Sequence, residues 1–184
     1  SLNSGTDALF LSMLALGIRE GDEVITVSHT FVASIAAIVQ AKATPVLMEV
    51  GEDFEMDADK LEFAITEKTK AIIPVHYNGR MADMEKIMDI AKKHNLYVIE
   101  DAAQGLGASL NGKKAGSIGN TGCFSFYPAK ILGCFGDGGA VTTNDEKIAE
   151  KIKLLRDHGQ KTKTEIVCFG WNSRLDNLQA AVLN

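Results

Sequence analysis

Short apolar runs alternate with longer amphipathic segments along the first hundred residues of the chain. Four of these runs are rich in β-branched residues and show no regular alternation of apolar and polar positions: EVITV (23–27), PVLMEV (45–50), KAIIPV (70–75) and LYVIED (96–101). Such runs are typical of strands that are buried on both faces of a parallel sheet. The sequence therefore predicts four parallel strands.

The segments between these runs have apolar residues at helical spacing. They cover 6–16, 31–41, 57–65 and 83–94, and the last carries a single stripe of Met84, Ile87, Met88 and Ala91. Strands and helices therefore alternate in the order βαβαβαβ. This order predicts an α/β fold in which helices flank a mainly parallel central sheet.

The pattern changes after Asp101. A turn-rich stretch over 104–120 precedes two further predicted strands, at 121–126 and 139–144, and an amphipathic helix over 145–159. With 184 residues, no internal repeat and no linker-like tract, the chain is predicted to form one domain. It stops within an apolar helical face at 178–184, so we expect it to be a fragment of a longer protein.

Composition excludes several classes of function. The net charge is −5, from 19 basic and 24 acidic residues, and no basic block is present that would favour nucleic acid as a partner. No apolar run approaches the ~18 residues of a membrane span. The three cysteines and four histidines lack the spacings of disulfide frameworks and metal sites, so no metal is expected and a reducing cytoplasm is favoured.

Lys130 is the residue with the clearest chemical signal. It lies in FSFYPAKILGCFGDGGAV (124–141), between an apolar run and a loop crowded with glycines. A lysine that is withdrawn from water in such a loop can act as an amine nucleophile and form a Schiff base. The alternative is an ordinary surface lysine, because lysine side chains are almost always exposed.

Two further sites lie where a parallel sheet binds ligands, at the carboxyl ends of strands and at helix starts. Asp101 ends a predicted strand, where its carboxylate can hold a cation or a protonated ring nitrogen; alternatively, Glu100 or Asp101 only caps the next segment. Gly5 and Thr6 precede a helix and suit a phosphate group, although they also fit an ordinary helix start. GLGASL (105–110) lacks the third glycine of a dinucleotide fingerprint, which disfavours a Rossmann oxidoreductase.

Six motifs, taken together, resemble a known family. In chain order they are SGTDAL, VSHTFVAS, IPVHYNG, VIEDAAQGLGA, FSFYPAKILGCFGDGGAV and GWNSRLDNLQAAVL. They resemble the DegT/StrS family of pyridoxal-phosphate-dependent sugar aminotransferases over nearly the whole chain. The resemblance implies that 1–184 is the large domain of a fold-type I enzyme, and that an N-terminal helical segment and a C-terminal small domain are missing.

The resemblance also implies a role for individual residues around pyridoxal phosphate. Lys130 matches the lysine that binds the cofactor as a Schiff base and then moves a proton during the reaction. Asp101 matches the partner of the ring nitrogen. Gln104 matches the residue that contacts the phenolic oxygen of the ring.

The remaining carry-overs concern the phosphate, the ring face and the neighbouring subunit. Gly5, Thr6 and Ser125 match the residues around the phosphate. Phe31 matches an aromatic residue that stacks on the ring, although by composition alone it would be assigned to the core. Asn172 matches an asparagine that reaches the cofactor phosphate of the partner subunit, which implies a homodimer with shared active sites.

The resemblance implies transfer of an amino group from L-glutamate to a keto group of a nucleotide-linked sugar, in the synthesis of surface polysaccharide, lipopolysaccharide or antibiotic sugars. Three alternatives stay open. One is a sugar dehydratase of the same family, in which histidine typically replaces the lysine found here at position 130. The others are a fold-type I enzyme that acts on small amino acids and a non-catalytic regulator on the same scaffold.

Overall fold

A six-stranded sheet forms the centre of the molecule. The computed structural model describes residues 1–184. In spatial order the strands are β2 (Thr44–Met48), β1 (Glu23–Val27), β3 (Thr69–Ile73), β4 (Tyr97–Asp101), β7 (Thr121–Ser125) and β8 (Gly139–Thr142). All neighbours are parallel except β8, which is antiparallel to β7. The predicted α/β class and all six predicted strands are confirmed, with boundaries that differ by at most two residues.

Five helices and two small hairpins complete the fold. The helices are α1 (Gly5–Leu16), α2 (Val32–Gln40), α3 (Met84–His94), α4 (Glu146–Leu155) and α5 (Asn177–Leu183). The hairpins pair β5 (Ser109–Leu110) with β6 (Lys113–Lys114), and β9 (Gln160–Thr162) with β10 (Glu165–Ile166). None of the helices has both the length and the apolar content that a membrane span requires.

The strands bury side chains on both faces of the sheet, as predicted. Ile72 and Ile73 are neighbours in β3, and they pack into two different apolar clusters because successive side chains of a strand point to opposite faces. One cluster lies under α1, α2 and α4. The other lies under α3, where the predicted stripe is buried at Met84, Ile87 and Ala91.

The helix predicted over 57–65 is wrong. This segment forms tight turns followed by a single 3₁₀ turn, Leu61–Ala64. The Asp57 carboxylate accepts a hydrogen bond from the backbone N–H of Asp59, which favours a local turn over a helix. Phe63 is 89% exposed, so the segment has no continuous apolar face to bury. The helix predicted over 145–159 is shorter than expected, since α4 ends at Leu155.

A buried carboxylate on the central strand, Glu100, is hydrogen-bonded to His76 and to the loop at 116–119. Glu100 Oε2 lies 2.9 Å from His76 Nε2, and both side chains are fully buried. Glu100 also accepts hydrogen bonds from the backbone N–H groups of Gly116, Ile118 and Gly119. Burial acts to raise the pKa of Glu100, but the hydrogen bonds from His76 and from the loop outweigh it and lower the pKa below its ordinary value.

We expect Glu100→Gln to lower the free energy of unfolding by about 2–4 kcal/mol at pH 7, since it weakens several charge-assisted hydrogen bonds at once. The pKa of Glu100 is lower in the folded than in the unfolded protein, so its ionised form stabilises the fold above the ordinary value of 4.5. This contribution disappears as the pH falls through the folded-state pKa. Denaturant unfolding at pH 7 and at lower pH measures the difference. Glu20→Gln, at an exposed glutamate, is the control. The assignment is contradicted if Glu100→Gln lowers the free energy of unfolding by the same amount at both pH values.

Candidate active site

A cavity of about 410 Å³ opens at the carboxyl ends of the central strands. The start of α1, the loop after β1 and the ends of β4 and β7 all contribute to its wall. Seven of the eight residues predicted for the site line it: Gly5, Thr6, Phe31, Asp101, Gln104, Ser125 and Lys130. The fold therefore brings together residues that are up to 125 positions apart in the chain, from Gly5 to Lys130.

Asp101 is the buried acid of the cavity, with only 6% of its surface exposed. Ser34 Oγ donates a hydrogen bond to its Oδ2 over 2.7 Å, and the backbone N–H of Ala103 donates to its Oδ1 over 3.2 Å. Burial raises the pKa of Asp101, and these hydrogen bonds, together with the charges of His76 and Lys130, oppose that rise. Because Asp101 lines the cavity, its carboxyl group can contact a cationic or N–H group there.

Gln104 is oriented by the turn that follows β3. Its side-chain oxygen accepts a hydrogen bond from the backbone N–H of Asn78, at 3.2 Å. Asn78 has φ +52°, a left-handed conformation that asparagine tolerates better than most residues. Because the oxygen is occupied in this way, the amide nitrogen of Gln104 is the group left to donate to a ligand.

A second buried acid, Glu55, supports the same turn from outside the cavity. Its Oε1 accepts a hydrogen bond from the backbone N–H of Tyr77 over 3.0 Å. Burial raises the pKa of Glu55 to about 8, and the hydrogen bond from Tyr77 only partly offsets this effect. The sequence analysis did not single out Glu55, because a lone glutamate in a polar stretch gives no signal of burial.

The start of α1 provides a place for an anion. Ser4 caps the helix by accepting a hydrogen bond from the backbone N–H of Asp7. The backbone N–H groups of Gly5 and Thr6 have no partner within the helix, and both residues line the cavity. Gly5 lies directly against Ser125 at the end of β7. A Cβ atom at position 5 would come within 2.7 Å of the Ser125 Cβ, so only glycine permits this approach.

Lys130 lies in the loop that joins β7 to β8, at 126–138, which we call the lysine loop. The loop is closed by hydrogen bonds from Phe126 N to Gly138 O and from Cys134 N to Phe126 O. A Cβ atom at Gly133 would meet Pro128 O at 2.7 Å, and one at Gly139 would meet Ser4 O at 2.3 Å. These two glycines therefore allow close backbone contacts within the protein itself, at Pro128 and Ser4. Lys130 is half-buried and faces the cavity.

Phe31 and Asn172 are placed differently from the other predicted residues. Phe31 is 69% exposed and lies on the cavity wall, so the alternative that placed it in the core is wrong. Asn172 is exposed, pairs with Asp157 in an isolated bridge and does not line the cavity. Within one subunit, therefore, Asn172 stands apart from the site.

Four polar lining residues were missed by sequence reasoning: Thr30, Ser34, Tyr127 and Asp137. Thr30 and Ser34 lie in VSHTFVAS, a motif from which only Phe31 was selected. Thr30 precedes the N-cap of α2 and Ser34 lies in its first turn, and their hydroxyl oxygens are 2.8 Å apart. Their spacing along the chain was a signal that could have identified them.

The residues of the cavity fit pyridoxal phosphate. A primary amine for the aldehyde, a buried carboxylate for the ring nitrogen and a helix start for the phosphate are present in the same cavity. The close approach of Gly5 to Ser125 forms a cradle that a Cβ would fill.

Comparisons with known proteins agree with this set of cavity residues. The model of the DegT/DnrJ/EryC1/StrS aminotransferase family matches residues 1–184. A "pleiotropic regulatory protein" of Geobacillus stearothermophilus is 50% identical, over 98% of this chain and 49% of its own length. The dTDP-3-amino-3,6-dideoxy-alpha-D-galactopyranose transaminase of Aneurinibacillus thermoaerophilus is 53% identical, over 98% of this chain and 50% of its own. The chain thus spans about half the length of these relatives.

Solved structures show the same fold. DesV from S. venezuelae, crystallised in complex with a ketimine intermediate, superimposes with a TM-score of 0.96 and 49% identity, covering 99% of this chain and 49% of its own. The Bacillus subtilis protein NtdA, solved with bound cofactor PMP, has a TM-score of 0.92 and 40% identity, covering 98% of this chain and 42% of its own.

We expect Gly5→Ala to weaken the binding of pyridoxal phosphate by about tenfold or more, because the new methyl group forces the first turn of α1 away from Ser125. The free energy of unfolding should change little, because the higher helix propensity of alanine, about 1 kcal/mol over glycine, partly offsets the cost of the displaced turn. Equilibrium titration with the cofactor measures the affinity.

Gly51→Ala is the matched control, because a Cβ there meets only the Asp53 side chain, at 3.1 Å, among close contacts. Wild-type affinity in Gly5→Ala would contradict the role of this approach in anion binding.

Proposed function

This chain belongs to the DegT/DnrJ/EryC1/StrS aminotransferase family, and on that premise we propose that residues 1–184 are the cofactor-binding domain of a pyridoxal-phosphate-dependent aminotransferase. The proposed reaction moves an amino group from L-glutamate to a keto group of a nucleotide-linked sugar, for surface polysaccharide, lipopolysaccharide or antibiotic sugars. The observation that supports it most is the convergence of Lys130, Asp101 and the start of α1 on one cavity.

Each residue has a distinct task in this proposal. When bound, pyridoxal phosphate supplies an electron-withdrawing ring and an aldehyde carbon that carries the amino group between substrates. Asp101 holds a proton on the ring nitrogen, and the Gln104 amide donates to the phenolic oxygen. The start of α1 and Ser125 bind the phosphate. Lys130 Nζ would move a proton from the glutamate carbon that bears the amino group to the aldehyde-derived carbon of the cofactor, and would move one in the opposite direction when the amino group passes to the sugar.

We further propose that the active unit is a homodimer in which Asn172 contacts the phosphate bound by the partner subunit. Asn172 is exposed and outside its own cavity, which suits a contact made across an interface. Large apolar side chains are exposed around it and around the lysine loop, among them Ile131, Phe135 and Phe169, at 70%, 87% and 96%. Exposed apolar surface of this kind is typical of protein interfaces.

The proposed site of action is the cytoplasm. All three cysteines, Cys123, Cys134 and Cys168, are free thiols, and two of them are buried. Free thiols without disulfide partners are typical of a reducing compartment.

Two other functions compete with this proposal. Lys130 stands where dehydratases of the family typically carry histidine, which disfavours dehydration. A regulator without catalysis is a candidate because one relative is named a pleiotropic regulatory protein. A purely regulatory role does not require an amine, a buried carboxylate and an anion site in one cavity, so transamination is preferred.

The decisive test is the visible absorption spectrum of the full-length protein after incubation with pyridoxal phosphate. We expect a Schiff-base band that is lost in Lys130→Ala and that decreases when L-glutamate is added, because the amine of Lys130 is the attachment point. Lys163→Ala, at an exposed lysine, should keep the band. A wild-type protein without a lysine-dependent band would favour the regulator instead.

Shared active sites predict complementation between two inactive variants. Lys130→Ala and Asn172→Ala homodimers should each be impaired. After subunits are mixed, half of the dimers are mixed ones, and each of these has one site with both defects and one intact site.

Activity should therefore recover to about a quarter of that of the wild type. The control mixes Lys130→Ala with Asp101→Ala. Both residues act in the site of their own subunit, so each site of a mixed dimer carries one defect and no site is intact. Equal recovery in both mixtures, or none with Asn172→Ala, would contradict the role of Asn172.

A further inference from the structure

A chain of two hydroxyl groups leads to the Asp101 carboxylate. Ser34 lies in the first turn of α2 and is fully buried. Its Oγ is 2.7 Å from Asp101 Oδ2 and 2.8 Å from Thr30 Oγ1. Thr30 is half-buried and, like Ser34, lines the cavity. The chain therefore connects the wall of the cavity to its buried acid.

The direction of the hydrogen bonds follows from the chemistry of the groups. An ionised carboxylate can only accept, so the Ser34 hydroxyl must donate its proton to Asp101. Ser34 Oγ can then only accept from Thr30, which acts as the donor. A serine in a helix commonly bonds back to the carbonyl one turn earlier. The Ser34 hydroxyl instead donates its proton to Asp101 Oδ2.

The donors leave room for a third partner. Ser34 occupies one acceptor position on Oδ2, and Ala103 N–H occupies one on Oδ1. A carboxylate offers about four such positions. Since Asp101 lines the cavity, a free position remains for a donor that enters it.

Charged groups around Asp101 come from several elements. The hydroxyl of Ser34 in α2 opposes the effect of burial on the pKa of Asp101, and so do His76 after β3 and Lys130 in the lysine loop. Glu100 is the neighbour in β4, and its carboxylate is held by its own bonds to His76 and the loop at 116–119. On β7, burial raises the pKa of the Cys123 thiol, which therefore stays uncharged.

From this geometry we propose that Thr30 and Ser34 are positioning residues that orient the Asp101 carboxylate and keep it charged, so that Asp101 can hold a proton on the ring nitrogen of pyridoxal phosphate. The identity of the ring rests on the proposed function. The effect on Asp101 does not, because the hydroxyl chain lies within the protein and acts before any ligand binds.

The experiment follows the Asp101 carboxyl directly. In apoprotein labelled with ¹³C-aspartate, the Asp101 carboxyl resonance is assigned by its loss in Asp101→Asn and is titrated with pH. Ser34→Ala should raise its midpoint by about 1 pH unit, a tenfold change in the ionisation constant, since it removes a charge-assisted hydrogen bond. Thr30→Val should raise the midpoint by less, and Thr30→Ser should restore the wild-type value because it keeps the hydroxyl.

Folding and positioning are separated by the choice of variants. Alanine at position 34 favours the helix, and the Thr30 pair changes a half-buried site by one methyl or hydroxyl group. Apoprotein melting temperatures report stability independently. Unchanged midpoints in both Ser34→Ala and Thr30→Val would overturn the proposal, even where stability falls.

The second readout is the affinity for pyridoxal phosphate as a function of pH. A higher midpoint leaves more of Asp101 protonated at a given pH, so the loss of affinity in Ser34→Ala should grow as the pH falls, approaching about tenfold below the wild-type midpoint. A shifted midpoint with wild-type affinity at every pH would overturn the role towards the ring. Absence of the Lys130-dependent band in wild-type protein would instead count against the proposed function and leave the carboxyl titration intact.

Discussion

Two neighbouring carboxylates on the central strand determine the arrangement of the site. Successive side chains of β4 point to opposite faces, so Glu100 and Asp101 are buried in different surroundings. Glu100 receives four hydrogen bonds, one from His76 and three from the loop at 116–119, and its charge is used within the protein. Asp101 receives two side-chain-directed bonds and lines the cavity. The division of labour between the two acids thus follows from the pleat of one strand.

The fold was largely predictable because its main elements depend on local patterns. Apolar runs without alternation identified the parallel strands, and the stripe from Met84 to Ala91 identified α3. The failure over 57–65 has a physical cause: the spacing suggested a helix, but no partner covers Phe63, and the Asp57 turn is favoured instead. A periodic pattern predicts a helix only where the structure provides a surface to pack against.

The candidate site was predictable through its motifs and only partly through its physics. Sequence reasoning could not decide whether Glu100 or Asp101 acts as a cap. That choice depends on the loop at 116–119, which bonds to Glu100 from 18 and 19 positions further along the chain and leaves no local sequence signal in β4. Ser34 was missed for a similar reason. A serine in an apolar helix is unremarkable by composition, and its partner Asp101 lies 67 positions away in the chain.

Polar groups around the cavity are hydrogen-bonded to other residues of the protein. Gln104 is held by Asn78, Asp101 by Ser34, and the turn that carries Asn78 by Glu55 through Tyr77. Each supporting bond fixes one face of a polar side chain and leaves another face free. A site that must hold a planar, charged ligand benefits from such support, because its groups then lose little conformational entropy when the ligand binds. The supporting bonds therefore help to fix the orientation of the polar groups that a ligand would meet in the cavity.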